Sequence, residues 1–142
     1  MKHMNEFVEV MKMRSANGLV TSAAELSNIL KAAEIGGIVI FYSYTNMPIG
    51  YAIYAMIDRW TLDFIIRSKG PILNQYEWNE GGIVHIVDFL IMRRQKTLCI
   101  RRFKYWVKNK RCVSYLAKGR VTILKRYKTD ANHIRMKKIY RG

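Results

Sequence analysis

From Ile35 to Ile57 the chain carries no charged residue, a stretch long enough to span a bilayer. Its middle argues against that. Ser43-Tyr44-Thr45-Asn46-Met47-Pro48 is polar and carries a turn signal, while both flanks are short and dense in Val, Ile, Phe and Tyr. The stretch is therefore expected to form a buried β-hairpin, with strands over 37–44 and 50–56, and no transmembrane segment. At 142 residues, half of them hydrophobic, the chain can bury one core but not two comfortable ones.

The neighbouring segments can be placed around this hairpin. Val20 to Ala33 is expected to be a helix: Thr21 or Ser22 can cap it, Glu25 follows at capping-box spacing, and Leu26, Ile29, Leu30 and Ala33 form one stripe. Gly36-Gly37 ends it. Arg59 to Ile66 fits a strand or a short helix, and a strand is the expectation; Ser68-Lys69-Gly70-Pro71 then breaks the chain before a connection over 72–80. Gly81 to Met92 has the composition of a buried strand. Lys96 to Lys108 is amphipathic, with Cys99, Ile100, Phe103, Trp106 and Val107 set against Arg101, Arg102, Lys104 and Lys108. Strands over 112–116 and 121–127 flank the Gly-containing loop Ala117-Lys118-Gly119-Arg120. This order predicts an α+β fold, a central and mostly antiparallel sheet with helices packed on it. A single domain is expected over residues 1–127, followed by a loosely held basic tail over 128–142.

Charge is unevenly distributed. Residues 1–70 hold seven Lys/Arg against six Asp/Glu, whereas 93–142 hold eighteen Lys/Arg against one acid, Asp130, a net of +17. That excess goes beyond what solubility needs and implies an acidic partner, whether nucleic acid, anionic membrane or acidic protein. Tyr105, Trp106, Tyr115, Tyr127 and Tyr140, interleaved with these cations, suit a nucleic-acid surface, where charges meet phosphates and rings meet bases. Met1 to Arg14 has no hydrophobic core of a signal peptide. Cys99 and Cys112 have no partners at metal-ligand spacing, so free thiols, no metal and a cytoplasmic location are expected.

Asp88 stands out within Gly81-Gly82-Ile83-Val84-His85-Ile86-Val87-Asp88-Phe89-Leu90-Ile91-Met92. A carboxylate buried among such residues costs on the order of several kcal/mol unless it is paired, hydrogen-bonded or protonated. His85 is close in sequence, but three residues along a strand place it on the opposite face. Cys99 has no paired base that would make it a nucleophile.

The segment from Trp78 to Phe89 resembles the central motif of the RTX-toxin-activating lysine acyltransferases, in which a Trp, a Gly three residues on and an Asp seven beyond that stand at the spacing of Trp78, Gly81 and Asp88. Asn46-Met47-Pro48-Ile49-Gly50-Tyr51-Ala52 is similar to the same family's hairpin turn, and the likeness extends over Thr21 to Lys110. The resemblance implies a GNAT-like fold and transfer of a fatty acyl group from acyl carrier protein to lysine side chains of a protein. It also implies a catalytic role for Asp88 and a place beside the substrate for Trp78; His85, near in sequence, is the second catalytic candidate. The family pairs its Asp with a His just before the first main helix; here that stretch is Ser15-Ala16-Asn17-Gly18, without a His.

No tightly bound cofactor is expected. The loop Met92-Arg93-Arg94-Gln95-Lys96-Thr97 has no glycine to bring backbone amides against a pyrophosphate, which disfavours coenzyme A. Arg93, Arg94 and Lys96, with Arg101 and Arg102, instead suit the acidic face of an acyl carrier protein. The alternative is a non-catalytic basic protein of the same fold that binds nucleic acid or a larger assembly such as a viral one.

Overall fold

In the computed structural model, which describes residues 4–68, 78–117, 120–128 and 134–141, ten elements follow one another. They are α1 (Met4–Ala16), α2 (Ala23–Ile35), β1 (Ile38–Tyr42), β2 (Pro48–Ile57), α3 (Arg59–Ser68), β3 (Ile83–Ile91), α4 (Lys96–Val107), β4 (Cys112–Ala117), β5 (Arg120–Lys128) and β6 (Ile134–Arg141). The fold is α+β, with helices packed on an open, mostly antiparallel sheet. Strand order is β1-β2-β3-β4-β5-β6. β3 and β4 run parallel, with α4 as the crossover that a parallel pair needs. The chain clusters into two compact units, Met1–Tyr54 with Asp88–Lys104, and Ala55–Val87 with Tyr105–Gly142.

In the first unit, the charge-free stretch does form an antiparallel hairpin. Ile38 pairs with Ile53 and Phe41 with Gly50, and the turn is built on the Ser43 hydroxyl, which accepts from the Thr45 and Met47 amides while Asn46 takes φ 62°. No helix among the described residues is long and apolar enough to cross a membrane. Helix α2 starts at the expected capping box, where the Ser22 hydroxyl accepts from the Glu25 amide and Glu25 accepts from the Ser22 amide; it ends at Gly36 in the left-handed region. Ile29 and Ala33 are buried but Leu26 is exposed, so the stripe is narrower than expected. Phe41, Phe89 and Phe103 pack edge-on or tilted, with centroids 4.9–6.2 Å apart, and join β1, β3 and α4.

The second unit corrects three expectations. Arg59 to Ile66 is helical, not a strand. Asp58 accepts the Thr61 amide at 2.7 Å, and the buried Thr61, Leu62 and Ile65 follow helical spacing, while Trp60 and Phe64 stack on the exposed face. Next, the segment expected to be a loose tail carries β6, which pairs antiparallel with β5 from Val121↔Arg141 to Lys128↔Ile134. Much of the connection expected over 72–80, and residues 118–119 of the loop between β4 and β5, lie outside the described residues.

The third correction concerns Trp78. It is 3% exposed and belongs to the core of its unit, so it offers no surface to a substrate. The glycine three residues on is needed for the same packing. The Glu80 and Gly81 amides both donate to the Met56 carbonyl, and a Cβ at Gly81 would run into the backbone of Ile57. We expect Gly81→Ala to lower stability by about 1–3 kcal/mol in denaturant unfolding, the usual cost of overpacking against a backbone that cannot yield. Gly82→Ala, whose Cβ meets nothing within 4 Å, is the matched control.

Candidate functional site

Arg14, Tyr51 and Asp88 come together in the first unit. Arg14 lies in the last turn of α1; the chain then reverses through Gly18 at φ 70°, with the Leu19 amide bonded to the Arg14 carbonyl at 2.9 Å. This return places the start of α2 within reach of the guanidinium. Arg14 Nε donates to Thr21 Oγ1 at 3.0 Å and Nη2 to Glu25 Oε2 at 2.6 Å, so Glu25 serves both the α2 cap and Arg14. Nη1 donates to Tyr51 Oη and to Asp88 Oδ2, both at 3.1 Å. Tyr51 in turn donates to Asp88 Oδ2 at 2.7 Å.

Exposure divides this group sharply. The Arg14 side chain is 5% exposed, whereas those of Asp88 and Glu25 are 39% and 50% exposed, and Tyr51 is fully buried. Asp88 is therefore not the buried carboxylate that its sequence context suggests. The inward residues Val84, His85 and Ile86 lie in the first half of β3, and the strand is only half-buried where Asp88 sits. Its Oδ2 is held by a cation and a phenol, and its Oδ1 accepts the Phe89 amide at 2.9 Å.

Electrostatics hold Arg14 and Glu25 charged and Tyr51 protonated. Burial works against the Arg14 charge, but its hydrogen bonds to Tyr51 and Glu25 and the fields of Tyr51 and Asp88 raise its pKa on balance. Glu25 is held below the usual carboxylate range by its bonds with the Ser22 backbone and side chain and then by Arg14. Burial, with help from Asp88, holds the Tyr51 hydroxyl protonated well above its ordinary range, against the opposing pull of Arg14. Tyr51 thus remains a donor to Asp88. The result is an oriented carboxylate with a solvent-facing side, an arrangement that can accept a proton from, or align, an incoming amine.

The other expected site residues are dispersed. His85 is fully buried in the second unit, where Nδ1 and Ser114 Oγ share a hydrogen bond of 2.9 Å and Nε2 has no partner among the described residues. Burial pushes its pKa down to about 4, so it is a neutral core histidine and not an exposed acid–base group beside Asp88. Arg93, Arg94, Lys96 and Arg101 are exposed at and beyond the β3–α4 loop, with Arg94 at φ 65°. Arg102 is partly committed, donating to the Tyr42 carbonyl at 3.2 Å and lying 5.0 Å over the Tyr44 ring. Burial pushes the Cys99 thiol up to about 11, which removes it as a nucleophile. Sequence reasoning missed Arg14, Glu25 as its partner, and Tyr51 as a site residue, although Tyr51 lies inside the hairpin segment of the resemblance.

No protein-family model matches the chain, and no curated protein matches it.

Proposed function

We propose that this chain is a cytoplasmic protein-lysine acyltransferase that takes a fatty acyl group from acyl carrier protein, with Asp88 as the base or orienter at its centre. The observation that carries the reading is the state of Asp88: the acid at the motif position is oriented by Arg14 and Tyr51 yet keeps a side open to solvent. Where the resembling family has a His, residues 15–18 have none, but Arg14 immediately before them reaches the same acid. Arg14 and Tyr51 are positioning residues in this scheme.

In the reaction, the lysine nitrogen attacks the thioester carbonyl, the C–N bond forms and the C–S bond breaks. The proton lost from nitrogen passes through Asp88 to the departing thiolate. The donor arrives on its carrier, so no tightly bound cofactor is required, and the exposed Arg93, Arg94, Lys96 and Arg101, with Arg102 beside them, offer an acidic carrier a docking surface.

The test is incubation with acyl-loaded carrier protein and candidate acceptors, read by mass spectrometry. Asp88→Asn and Asp88→Ala should lower the rate on the order of 10²-fold, the range of a lost general base. If the parent transfers nothing, or either variant transfers as well as the parent, the assignment fails. The charge of the last fifty residues favours a second reading, a non-catalytic nucleic-acid-binding protein. That reading requires an affinity for DNA or RNA that falls by roughly 0.7–0.9 decade per decade of salt for each phosphate contact.

A further inference from the structure

The second unit contains a cleft that the acyl-transfer reading does not use. Its volume is ≈ 750 Å³, and Arg59, Leu62, Asp63, Ile66 and Arg67 of α3 line one side. Ile83, Cys112, Ile123 and Lys125 line the other. The sheet side is one continuous face. Ser114 pairs with both His85 and Ile123, and Cys112 pairs with Lys125, so residues two apart on β3, β4 and β5 bring these four side chains to the same surface.

The lining separates into two chemistries. Leu62, Ile66, Ile83 and Ile123 give an aliphatic floor, with no aromatic ring among the described residues that line it on which a base or other planar ligand could stack. Among the described lining residues, Arg59, Arg67 and Lys125 give three cations against the one carboxylate of Asp63. Arg59 and Lys125 line the same cleft as Cys112, and their charges lower its pKa against the larger upward push of burial. The volume lies within the usual range of small-molecule sites.

We propose that this cleft binds an amphiphilic anion, an alkyl chain on the aliphatic floor with a carboxylate or phosphate head held by Arg59, Arg67 and Lys125. The cleft residues all belong to the second unit, whereas Asp88 belongs to the first.

Cys112 is a built-in reporter, because it is half-buried in the cleft while Cys99 is fully buried. Titration calorimetry measures binding of dodecanoate and dodecyl phosphate below their micelle thresholds, and alkylation of Cys112 in the folded protein locates it. Both anions should give saturable heats and slow Cys112 alkylation at least several-fold, and dodecyltrimethylammonium should do neither. Arg59→Gln combined with Lys125→Gln should weaken binding about tenfold or more, the loss of two exposed charge contacts. Asp88→Asn should leave it unchanged, which separates this site from the acyl-transfer centre. The proposal is overturned if neither anion binds, if the cationic amphiphile protects equally, or if the double substitution has no effect. It also fails if Cys112 reacts as slowly as Cys99 in the ligand-free protein, since the cleft would then be closed.

Discussion

Arg14→Ala should destabilise the protein by about 3 kcal/mol, measured as a fall in the denaturant midpoint at unchanged slope. Removing one member of a buried ion pair typically costs about 3–5 kcal/mol, because the partners lose a charge they were folded against. Here the partners are half-open to water, at 39% for Asp88 and 50% for Glu25, so they can recover solvation and the lower end applies. Part of the loss is not electrostatic: the side chain is 5% exposed, so removing its methylene stem leaves a void on the buried face of α1. Arg14→Lys separates these contributions. A lysine keeps charge and stem but cannot serve Thr21, Tyr51, Glu25 and Asp88 from one planar fork, so it should recover about half of the loss. An Arg14→Ala protein as stable as the parent would mean that the four bonds hold nothing in solution.

Asp88→Asn should cost far less stability than Arg14→Ala, on the order of 1 kcal/mol, since an amide keeps the shape and can still accept from Tyr51. That contrast matters for the functional reading. A carboxylate that contributes little to folding yet is needed for acyl transfer is acting on substrate, whereas one whose loss unfolds the protein is a structural acid.

Features written in local chemistry were legible from sequence, and those assembled over distance were not. The capping box of Ser22 and Glu25, the Asn46 turn and the amphipathic run of α4 each involve residues a few positions apart, so neighbouring residues sufficed to place each one. In α3, Trp60 and Phe64 inflate the apolar count and favour a strand although both are exposed; the Asp58 cap is the better signal. In β6 the alternation of Ile134 and Met136 fails at Lys137-Lys138, and so the strand looked like a charged tail. Arg14 could not be read locally, because its partners lie 7, 11, 37 and 74 residues away, on α2 and the loop before it, on β2 and on β3. Asp88 was found, but its environment was inferred from sequence neighbours that occupy the buried half of β3.

Stability should decline by on the order of 3 kcal/mol as pH falls from about 6.5 to about 4, through His85 alone. The imidazole is fully buried and its folded pKa is pushed down to about 4, whereas in the unfolded chain it titrates near its ordinary value of 6.5. Between those values the unfolded chain binds a proton that the folded protein refuses, so acid favours unfolding. The contribution is complete above the unfolded pKa and is lost as pH falls through the folded one. Glu25, whose carboxyl is also held low, acts in the same direction but only below its ordinary value of 4.5, so most of the His85 window lies above it. Urea unfolding at intervals across this range should show the slope in the parent and lose it in His85→Gln, which can keep a bond to Ser114 but does not titrate. If that variant fails to fold, the parent's imidazole resonances decide the matter: one ring should remain neutral at about pH 5, between the two pKa values. A parent whose three imidazoles all charge near 6.5 would show that His85 is open to water and the β3–β4 core is looser than its geometry implies.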